Sequence, residues 1–340
     1  MQADMTNSPR TSSCIALTLA ILALAGLALA PAALGGKAGK ARAHAASSYL
    51  TGIGDQLPTM FSNPLWQQLH TKISRFVAPY DAAVRPDELA VAREWIGDAE
   101  AQHQQVLVAF YHSEHTPTVM PSVAAYKADV ARFIKDFPHV RQYQAYDEAN
   151  RGNVKGQYAS PSAVLTAKYY QALKRDCHSC TVIGLDVLDA AVVSPTVRYI
   201  QEFKREIVRL RTVMPTIWGL HNYSDVNRMQ SWRTADLIRA FGSGQVWLTE
   251  TGGIVDFAPS FLNKHGAGLT RAAKVLKYMF KLAGSFSAIK RLYIYDWDAG
   301  TGSIRFDAGL TNGKGEPRPG YVVVCKQVHA AKCNVKTAKT

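Results

Sequence analysis

Two glutamates, each at the end of a short apolar run, are the residues of this sequence best suited to chemistry. Glu148 lies in the motif Tyr146–Asn150 (YDEAN), and Glu250 lies in Trp247–Gly253 (WLTETGG). Carboxylates held at neighbouring strand ends can divide the work of cleaving a glycosidic bond. One donates a proton to the leaving oxygen, and the other attacks or stabilises the anomeric carbon. The two motifs therefore predict a pair of catalytic carboxylates.

The order of apolar and amphipathic segments predicts the elements that position these glutamates. Eight apolar runs, separated by segments of helical character, lie between residue 49 and about residue 300. This alternation is typical of parallel strands with helical crossovers, and it predicts an α/β fold, a (β/α)8 TIM barrel with a single catalytic domain. The predicted strands are 49–54, 71–79, 106–111, 140–146, 180–186, 216–221, 245–249 and 291–296.

A doubly wound sheet is the alternative fold, and it normally carries a glycine-rich phosphate loop after the first strand. Residues 52–54 (GIG) are too short a match, and 242–244 (GSG) precede a strand rather than a helix. We therefore expect a barrel domain over residues 46–310. Residues 311–340 are then a C-terminal closing segment, with a short strand at 321–324 and a basic tail.

The active site of such a barrel lies at the carboxyl ends of its strands. Carboxylates there can hydrogen-bond sugar hydroxyls, and aromatic rings can stack on sugar rings. The residues that end the predicted strands are Asp55, Arg75, Tyr80, Tyr111, His112, Asp147, Glu148, Asp186, His221, Tyr223, Glu250, Asp296 and Trp297. Ordinary structural roles stay open for Arg75 (ion pair), for Tyr80, Tyr111 and Trp247 (core packing), and for Asp55 and Asp186 (helix caps or surface loops).

On these motifs the sequence resembles clan A of the glycoside hydrolases, the retaining (β/α)8 enzymes that include families 5 and 39. Over residues 49–300, Glu148 stands where the clan's acid/base ends strand four, and Glu250 where its nucleophile ends strand seven. His221-Asn222-Tyr223 matches the clan's His-x-Tyr at strand six. Trp297 matches its aromatic residue at strand eight, and Arg75 matches the early arginine that holds the nucleophile.

The resemblance implies double displacement. Glu250 would attack the anomeric carbon, while Glu148 would protonate the leaving oxygen and then deprotonate water. Arg75 and Tyr223 would keep Glu250 charged and aimed. The residues expected to contact substrate are Arg75, Tyr80, Tyr111, Asp147, Asn150, His221, Tyr223, Trp247 and Trp297.

Asp147 departs from the clan, which usually has Asn before the acid/base. The carboxylate can still accept a hydrogen bond from a sugar hydroxyl. A second carboxylate beside Glu148 is nevertheless expected to raise the pKa of Glu148. This suits a proton donor or indicates altered sugar specificity, and it leaves a non-catalytic carbohydrate-binding barrel as the alternative function.

The N-terminal 45 residues have the features of a signal peptide. An uncharged stretch rich in Ala and Leu runs from 11 to 36, and Ala43-His44-Ala45 fits a cleavage site, as does the earlier tripeptide 28–30. An uncleaved membrane anchor over 15–34 is the alternative, against which Pro31 argues. We therefore expect a secreted protein.

The charge of the chain is strongly basic. Four basic residues against one acid in the first 45 residues leave about +10 of the formal +13 on the remainder. This favours association with an anionic cell wall or an acidic polysaccharide. No basic run is interleaved with aromatic residues, so nucleic-acid binding is not supported.

Without Cys14 of the N-terminal segment, four cysteines remain, and an even count in an exported protein favours disulfides. Two local bonds are expected, Cys177 with Cys180 and Cys325 with Cys333, and pairing across the two is the alternative. A zinc site would need about four ligands, and only His178 is nearby. A metal-dependent barrel hydrolase is a further alternative, but the histidines form no ligand pattern. We expect no metal, no cofactor, an oligo- or polysaccharide substrate and a monomer.

Overall fold

The computed structural model describes residues 49–153, 155–300 and 306–328, together with 333, 335 and 337. Nine parallel strands alternate with helices along the chain. The strands are β1 Leu50–Gly54, β2 Ile73–Pro79, β3 Gln105–Tyr111, β4 Gln142–Gln144, β5 Thr181–Ile183, β6 Asp186–Leu188, β7 Ile217–His221, β8 Gln245–Thr251 and β9 Ile289–Tyr295.

The helices follow the strands in the order expected of a barrel. They are α1 Pro64–Gln68, α2 Pro86–Ala101, α3 Val123–Asp136, α4 Ala163–Asp176, α5 Ser194–Arg209, α6 Tyr223–Asn227, α7 Trp232–Phe241, α8 Ala267–Ser285 and α9 Pro319–Gln327. Short 3-10 helices cover Pro58–Met60, Ala82–Val84 and Lys264–Gly266. Helices α3 and α4 begin after serine N-caps, because the side chains of Ser122 and Ser162 accept hydrogen bonds from Ala125 N and Leu165 N.

The sheet runs in the order β5-β4-β3-β2-β1-β9-β8-β7-β6, and every neighbouring pair is parallel. Of its two ends, β5 lies within the strand predicted at 180–186, and β6 begins at the last residue of that prediction, Asp186. The residues between them close the ring, because Gly184 N donates to Ile217 O at 3.1 Å and Gly219 N donates to Leu185 O at 2.8 Å. The predicted (β/α)8 barrel is thereby confirmed.

Apolar side chains fill the interior at one level of the barrel. These side chains form one buried cluster and are Ile73, Leu107, Ile183, Trp247 and Tyr293. A larger core lies between the strands and the helices, where Trp95 of α2 stacks on Phe76 of β2 with ring centroids 4.9 Å apart. These two cores hold the strand ends in fixed positions.

The predicted strand at 321–324 is wrong, because this segment lies within helix α9. Pro319 lies in the first turn, where a backbone N–H would have no acceptor within the helix, so its lack of an N–H costs nothing. Tyr321, Val324 and Cys325 are buried at helical spacing. Tyr321 Oη donates to Leu65 O at 3.0 Å, which fastens α9 to α1.

The cysteines pair as expected. The Cα atoms of Cys177 and Cys180 are 5.3 Å apart and those of Cys325 and Cys333 are 5.7 Å apart, with their sulfurs at bonding distance. The predicted signal peptide, its cleavage sites and the alternative anchor lie outside the described residues. Among the residues that the structure covers, no helix is long and apolar enough to cross a membrane.

We expect Tyr321→Ala to lower the free energy of unfolding by about 3–5 kcal/mol, because it leaves a cavity under α9 and removes the hydrogen bond to α1. Urea denaturation measures the change. Val322→Ala, on the same helix but half-exposed, is the control and should have a much smaller effect. Equal losses for the two variants would contradict the docking of α9 described above.

Candidate active site

Charged side chains form the next layer of the barrel interior, on the side of the strand carboxyl ends. Arg75 lies two residues after Ile73 on β2 and therefore points to the same face. Asp147 and Glu148 follow β4, Asp186 opens β6, His221 ends β7 and Glu250 lies near the end of β8. The structure thus brings the two predicted glutamates together, and all six side chains are buried.

Arg75 links Glu250 to Asp147. Its Nη1 donates to Glu250 Oε1 at 2.6 Å, and its Nη2 makes a short hydrogen bond to Asp147 Oδ1. Burial opposes the charge of Arg75, but the carboxylates of Asp147 and Glu250 raise its pKa above the ordinary value. The guanidinium therefore stays charged, and it holds Glu250 in the way predicted for Arg75.

His221 is the centre of the charged layer and has no exposed surface. Its Nδ1 lies 3.1 Å from Glu148 Oε1 and 3.5 Å from Glu250 Oε2, and its Nε2 lies 2.9 Å from Asp186 Oδ2. Burial lowers the pKa of His221, but the charges of Asp186 and Glu250 and hydrogen bonds to Asp186 and Glu148 raise it well above the ordinary value. The ring is an imidazolium that joins carboxylates, rather than the sugar contact predicted from the sequence.

Glu148 has a backbone conformation that L-residues seldom adopt, with φ at +41°. Such a conformation costs about 1–3 kcal/mol. The surroundings hold it there: Glu148 N donates to Asp186 Oδ2 at 3.2 Å, and Ala149 N donates to Asp186 O at 3.1 Å. The other oxygen of the Glu148 side chain, Oε2, lies 3.0 Å from Arg151 Nη1.

The expectation that Asp147 raises the pKa of Glu148 is wrong. Burial alone would raise it, but the hydrogen bond and charge of His221, together with Arg151, bring the pKa of Glu148 below its ordinary value. Asp147 turns instead toward Arg75 and Gln144, whose Nε2 donates to it at 3.1 Å. Burial raises the pKa of Asp147 itself to about 7, although Arg75 opposes the shift.

Asp186, for which the sequence left the role of a helix cap open, supports the side chains and backbone of the site instead. Its Oδ1 accepts a short hydrogen bond from Thr249 Oγ1, and its Oδ2 faces His221 and Glu148 N. Burial raises the pKa of Asp186, but His221 more than offsets this and lowers it. A Cβ at Gly219 would lie 2.1 Å from Asp186 Oδ1, so this glycine on β7 leaves the space that Asp186 occupies.

A cavity of about 630 Å³ opens above the charged layer and reaches Asp147, Glu148 and Glu250. One wall carries Tyr111, Arg151 and Tyr158. A second part of the lining is aromatic and carries Tyr223, Phe257, Phe261, Tyr295 and Phe306. Tyr223 Oη donates to Glu250 Oε2 at 3.3 Å. Three of the residues predicted to contact substrate, Tyr111, Asp147 and Tyr223, line this cavity.

Four residues predicted to contact substrate lie away from this cavity. Asn150 accepts from Leu188 N at 2.7 Å and donates to Leu188 O and Thr196 Oγ1 at 3.0 and 2.9 Å, which fastens its loop to β6. Trp247 belongs to the apolar interior layer, with Arg291 over its ring at 3.9 Å. The two others, Tyr80 and Trp297, are buried in the outer core against Tyr126 and Tyr321.

Several cavity residues were not predicted because they lie in loops beyond the strand ends. Arg151 and Tyr158 belong to the loop between β4 and α4, and Phe257, Phe261 and Phe306 to loops after β8 and β9. The aromatic content of the loop after β8 is the signal that could have revealed it. Tyr295 at the end of β9 takes the place that the sequence had assigned to Trp297.

Three groups of side chains within the described ranges have the spacing of metal ligands. Asp87, Glu88 and His115 form a mostly exposed group, whereas the two buried groups share His221 with Asp147 and Asp186 or with Glu148 and Glu250. In the buried groups the positive charges of His221 and Arg75 already face these carboxylates. Ion pairing therefore accounts for the arrangement.

The barrel is similar to solved glycoside hydrolases. A psychrophilic family 10 endo-β-1,4-xylanase matches 82% of this chain and 96% of its own, with a TM-score of 0.61 and 10% identity. A fungal β-1,4-galactanase matches 83% and 99%, with a TM-score of 0.59 and 10% identity. A family 39 glycoside hydrolase from the gut symbiont Bacteroides cellulosilyticus WH2 matches 83% of this chain but only 64% of its own, with a TM-score of 0.53 and 14% identity.

The sequence matches no protein-family model and no curated protein. At identities of 10–14%, the structural similarity is evidence for the fold alone. The resemblance to the barrels of clan A glycoside hydrolases, predicted from the sequence, is confirmed at that level.

We expect Gly219→Ala to destabilise the protein by about 1–3 kcal/mol or more, because the new methyl group overlaps Asp186 Oδ1. Gly97→Ala is the control, since a Cβ at this position in α2 meets nothing within 4 Å and should be neutral or stabilising. Chemical denaturation of both variants measures the difference. An unchanged unfolding free energy for Gly219→Ala would contradict the close approach of Asp186 to β7.

The raised pKa of Asp147 predicts a pH-dependent stability difference between the wild type and Asp147→Asn. Below about pH 4, Asp147 is protonated in both the folded and the unfolded chain, so it does not make the unfolding free energy depend on pH. From about pH 4 to pH 7 only the unfolded chain ionises, so the wild type should lose stability relative to Asp147→Asn. Unfolding free energies from pH 4 to 8 measure this, with exposed Asp98→Asn as control. If the stability of the wild type instead rose relative to Asp147→Asn between pH 4 and pH 7, the raised pKa of Asp147 would be contradicted.

Proposed function

We propose that this protein is a secreted glycosidase that hydrolyses O-glycosidic bonds of an oligo- or polysaccharide with retention of configuration. One observation carries the proposal. An oxygen of Glu148, an oxygen of Glu250 and a nitrogen of His221 lie within 4.8 Å of one another. This closest approach is compatible with the separation of about 5–5.5 Å between carboxyl groups that is typical of retaining enzymes, whereas inverting enzymes place the groups about 6.5–9.5 Å apart to admit a water.

Glu250 is the nucleophile in this proposal. Arg75 and Tyr223 both donate hydrogen bonds to its carboxylate, which fix its direction. In the first step a Glu250 oxygen bonds to the anomeric carbon while the glycosidic bond breaks. Its electron pair leaves with the departing oxygen, which takes the proton of Glu148.

In the second step Glu148 acts as a base. A water oxygen attacks the anomeric carbon, its proton passes to Glu148, and the Glu250 carboxylate departs. The neighbouring charges of His221 and Arg151, which lower the pKa of Glu148, favour the anion needed here. The first step needs the protonated form, so acidic conditions should favour it.

The cavity supports a sugar ligand. Its aromatic wall of Tyr223, Phe257 and Phe306 can stack on the apolar face of a sugar ring beside Glu250. The structural neighbours include xylanases and galactanases, which supports a polysaccharide as substrate. Secretion is proposed from the N-terminal segment, association with anionic cell walls from the net charge, and a monomer remains our assumption.

We expect a 2-deoxy-2-fluoro glycoside with a good leaving group to form a covalent adduct on Glu250, because fluorine slows hydrolysis of the glycosyl-enzyme. Glu250→Gln should form none. Glu148→Gln should still form the adduct but hydrolyse natural glycosides about 10²–10⁴-fold more slowly, because it lacks the acid. Intact mass spectrometry with peptide mapping and a hydrolysis assay measure these outcomes.

Glu100→Gln, on the exposed face of α2, is the matched control and should behave as the wild type. An adduct on another residue would overturn the assignment of Glu250. No adduct with pyranosyl and furanosyl reagents, together with glycan binding, would favour the alternative function, a carbohydrate-binding barrel without catalysis. Asp147 at the clan's Asn position is the observation that keeps this alternative open.

A further inference from the structure

Arg151 is a cavity residue whose position is defined by three neighbours. Its Nη1 lies 3.0 Å from Glu148 Oε2 and donates to Tyr111 Oη at 3.2 Å, and its guanidinium carbon lies 4.6 Å from the centre of the Tyr158 ring. The side chain is 36% exposed. Two tyrosines thus hold a partly exposed guanidinium at the edge of the cavity.

The position of Arg151 relative to Glu148 assigns it to the leaving-group side. Glu148 Oε1 faces His221, which also contacts the nucleophile Glu250, whereas Glu148 Oε2 faces Arg151. The departing oxygen receives its proton from Glu148, so the departing sugar must lie beside this residue. Of the two arginines in the described lining of the cavity, Arg151 and Arg228, Arg151 is the one that contacts Glu148.

During the first catalytic step Arg151 has no anionic partner. Glu148 must be neutral when it donates its proton, and within the described parts of the chain no other carboxylate lies within 4.0 Å of Arg151. A carboxylate on the departing sugar would restore the pair. Two parallel hydrogen bonds from a guanidinium suit a planar carboxylate.

The other carboxylates that line the cavity have partners of their own. Asp147 and Glu250 bind Arg75, and Asp189 accepts from Ser224 N and Asp225 N. Glu114 lies 3.8 Å from His112 Nδ1. They therefore leave the charge of Arg151 available to a ligand, and the basic chain favours encounter with a polyanion.

We propose that the leaving-group side of the cavity binds a uronic acid, whose carboxylate pairs with Arg151. The proposal rests on the proposed function and names its substrate class. The same carboxylate would draw Arg151 away from Glu148 and so help Glu148 to keep the proton that it must donate. An acidic leaving sugar would thus be bound by Arg151 and would also favour the protonated form of Glu148 that cleavage requires.

Binding to the inactive Glu250→Gln variant tests this proposal without requiring turnover. The probes are hexasaccharides of hyaluronan, heparosan and polygalacturonate and an acidic glucuronoxylan oligosaccharide, each beside its carboxyl-reduced neutral form. We expect at least one acidic form to bind about tenfold or more tightly than its reduced form. Adding Arg151→Gln should abolish this preference, whereas Arg151→Lys should keep part of it.

Arg239→Gln is the matched control, because Arg239 also pairs with a carboxylate three residues away, Asp236 at 2.7 Å, but does not line the cavity. It should retain the full preference. Equal binding of acidic and reduced forms, no binding of any acidic form, or a preference that survives Arg151→Gln would overturn the proposal. Failure of the wild type to cleave an acidic glycan that it binds through Arg151 would instead contradict the proposed function.

Discussion

Two buried cations inside the barrel, Arg75 and the imidazolium of His221, are the constraint on which the rest of the site depends. They face the carboxylates of Asp147, Glu148, Asp186 and Glu250 at ion-pair distances. Carboxylates buried without partners would become neutral or destabilise the fold by several kcal/mol each. The cations therefore allow four acids to stand together in one water-poor layer, and they hold Glu148 and Glu250 apart in different surroundings.

The barrel supplies this arrangement through backbone features as much as through the charged side chains. Gly219 leaves room for Asp186, which in turn holds the backbone of Glu148 and faces His221. An extra residue in β8 is the second feature, because Trp247 and Glu250 pair with Gly219 and His221 of β7. This bulge turns both Trp247 and Glu250 toward the interior, although they lie three residues apart.

The predictions from the sequence were right where a pattern extends over many residues. The alternation of apolar and amphipathic segments identified the barrel, and the order of the strand ends identified Glu148, Glu250, Arg75 and Tyr223 as neighbours. Side-chain direction was harder to predict, because it depends on single residues. The bulge in β8 turns Trp247 into the apolar layer of the barrel interior, and β9 ends at Tyr295, so that Trp297 lies in the outer core. Arg151 lies in a loop, which no strand pattern can place.

The left-handed backbone at Glu148 places stability and activity in conflict at a single position. Glycine adopts this conformation without the steric cost that a Cβ imposes, so the residue that would relax the loop most is one that cannot transfer a proton. Selection for thermal stability alone would then favour loss of the acid. A thermostabilised variant of this barrel should accordingly keep residue 148 fixed and seek its gains in the helices, where Gly97 offers open space beside an unstrained backbone.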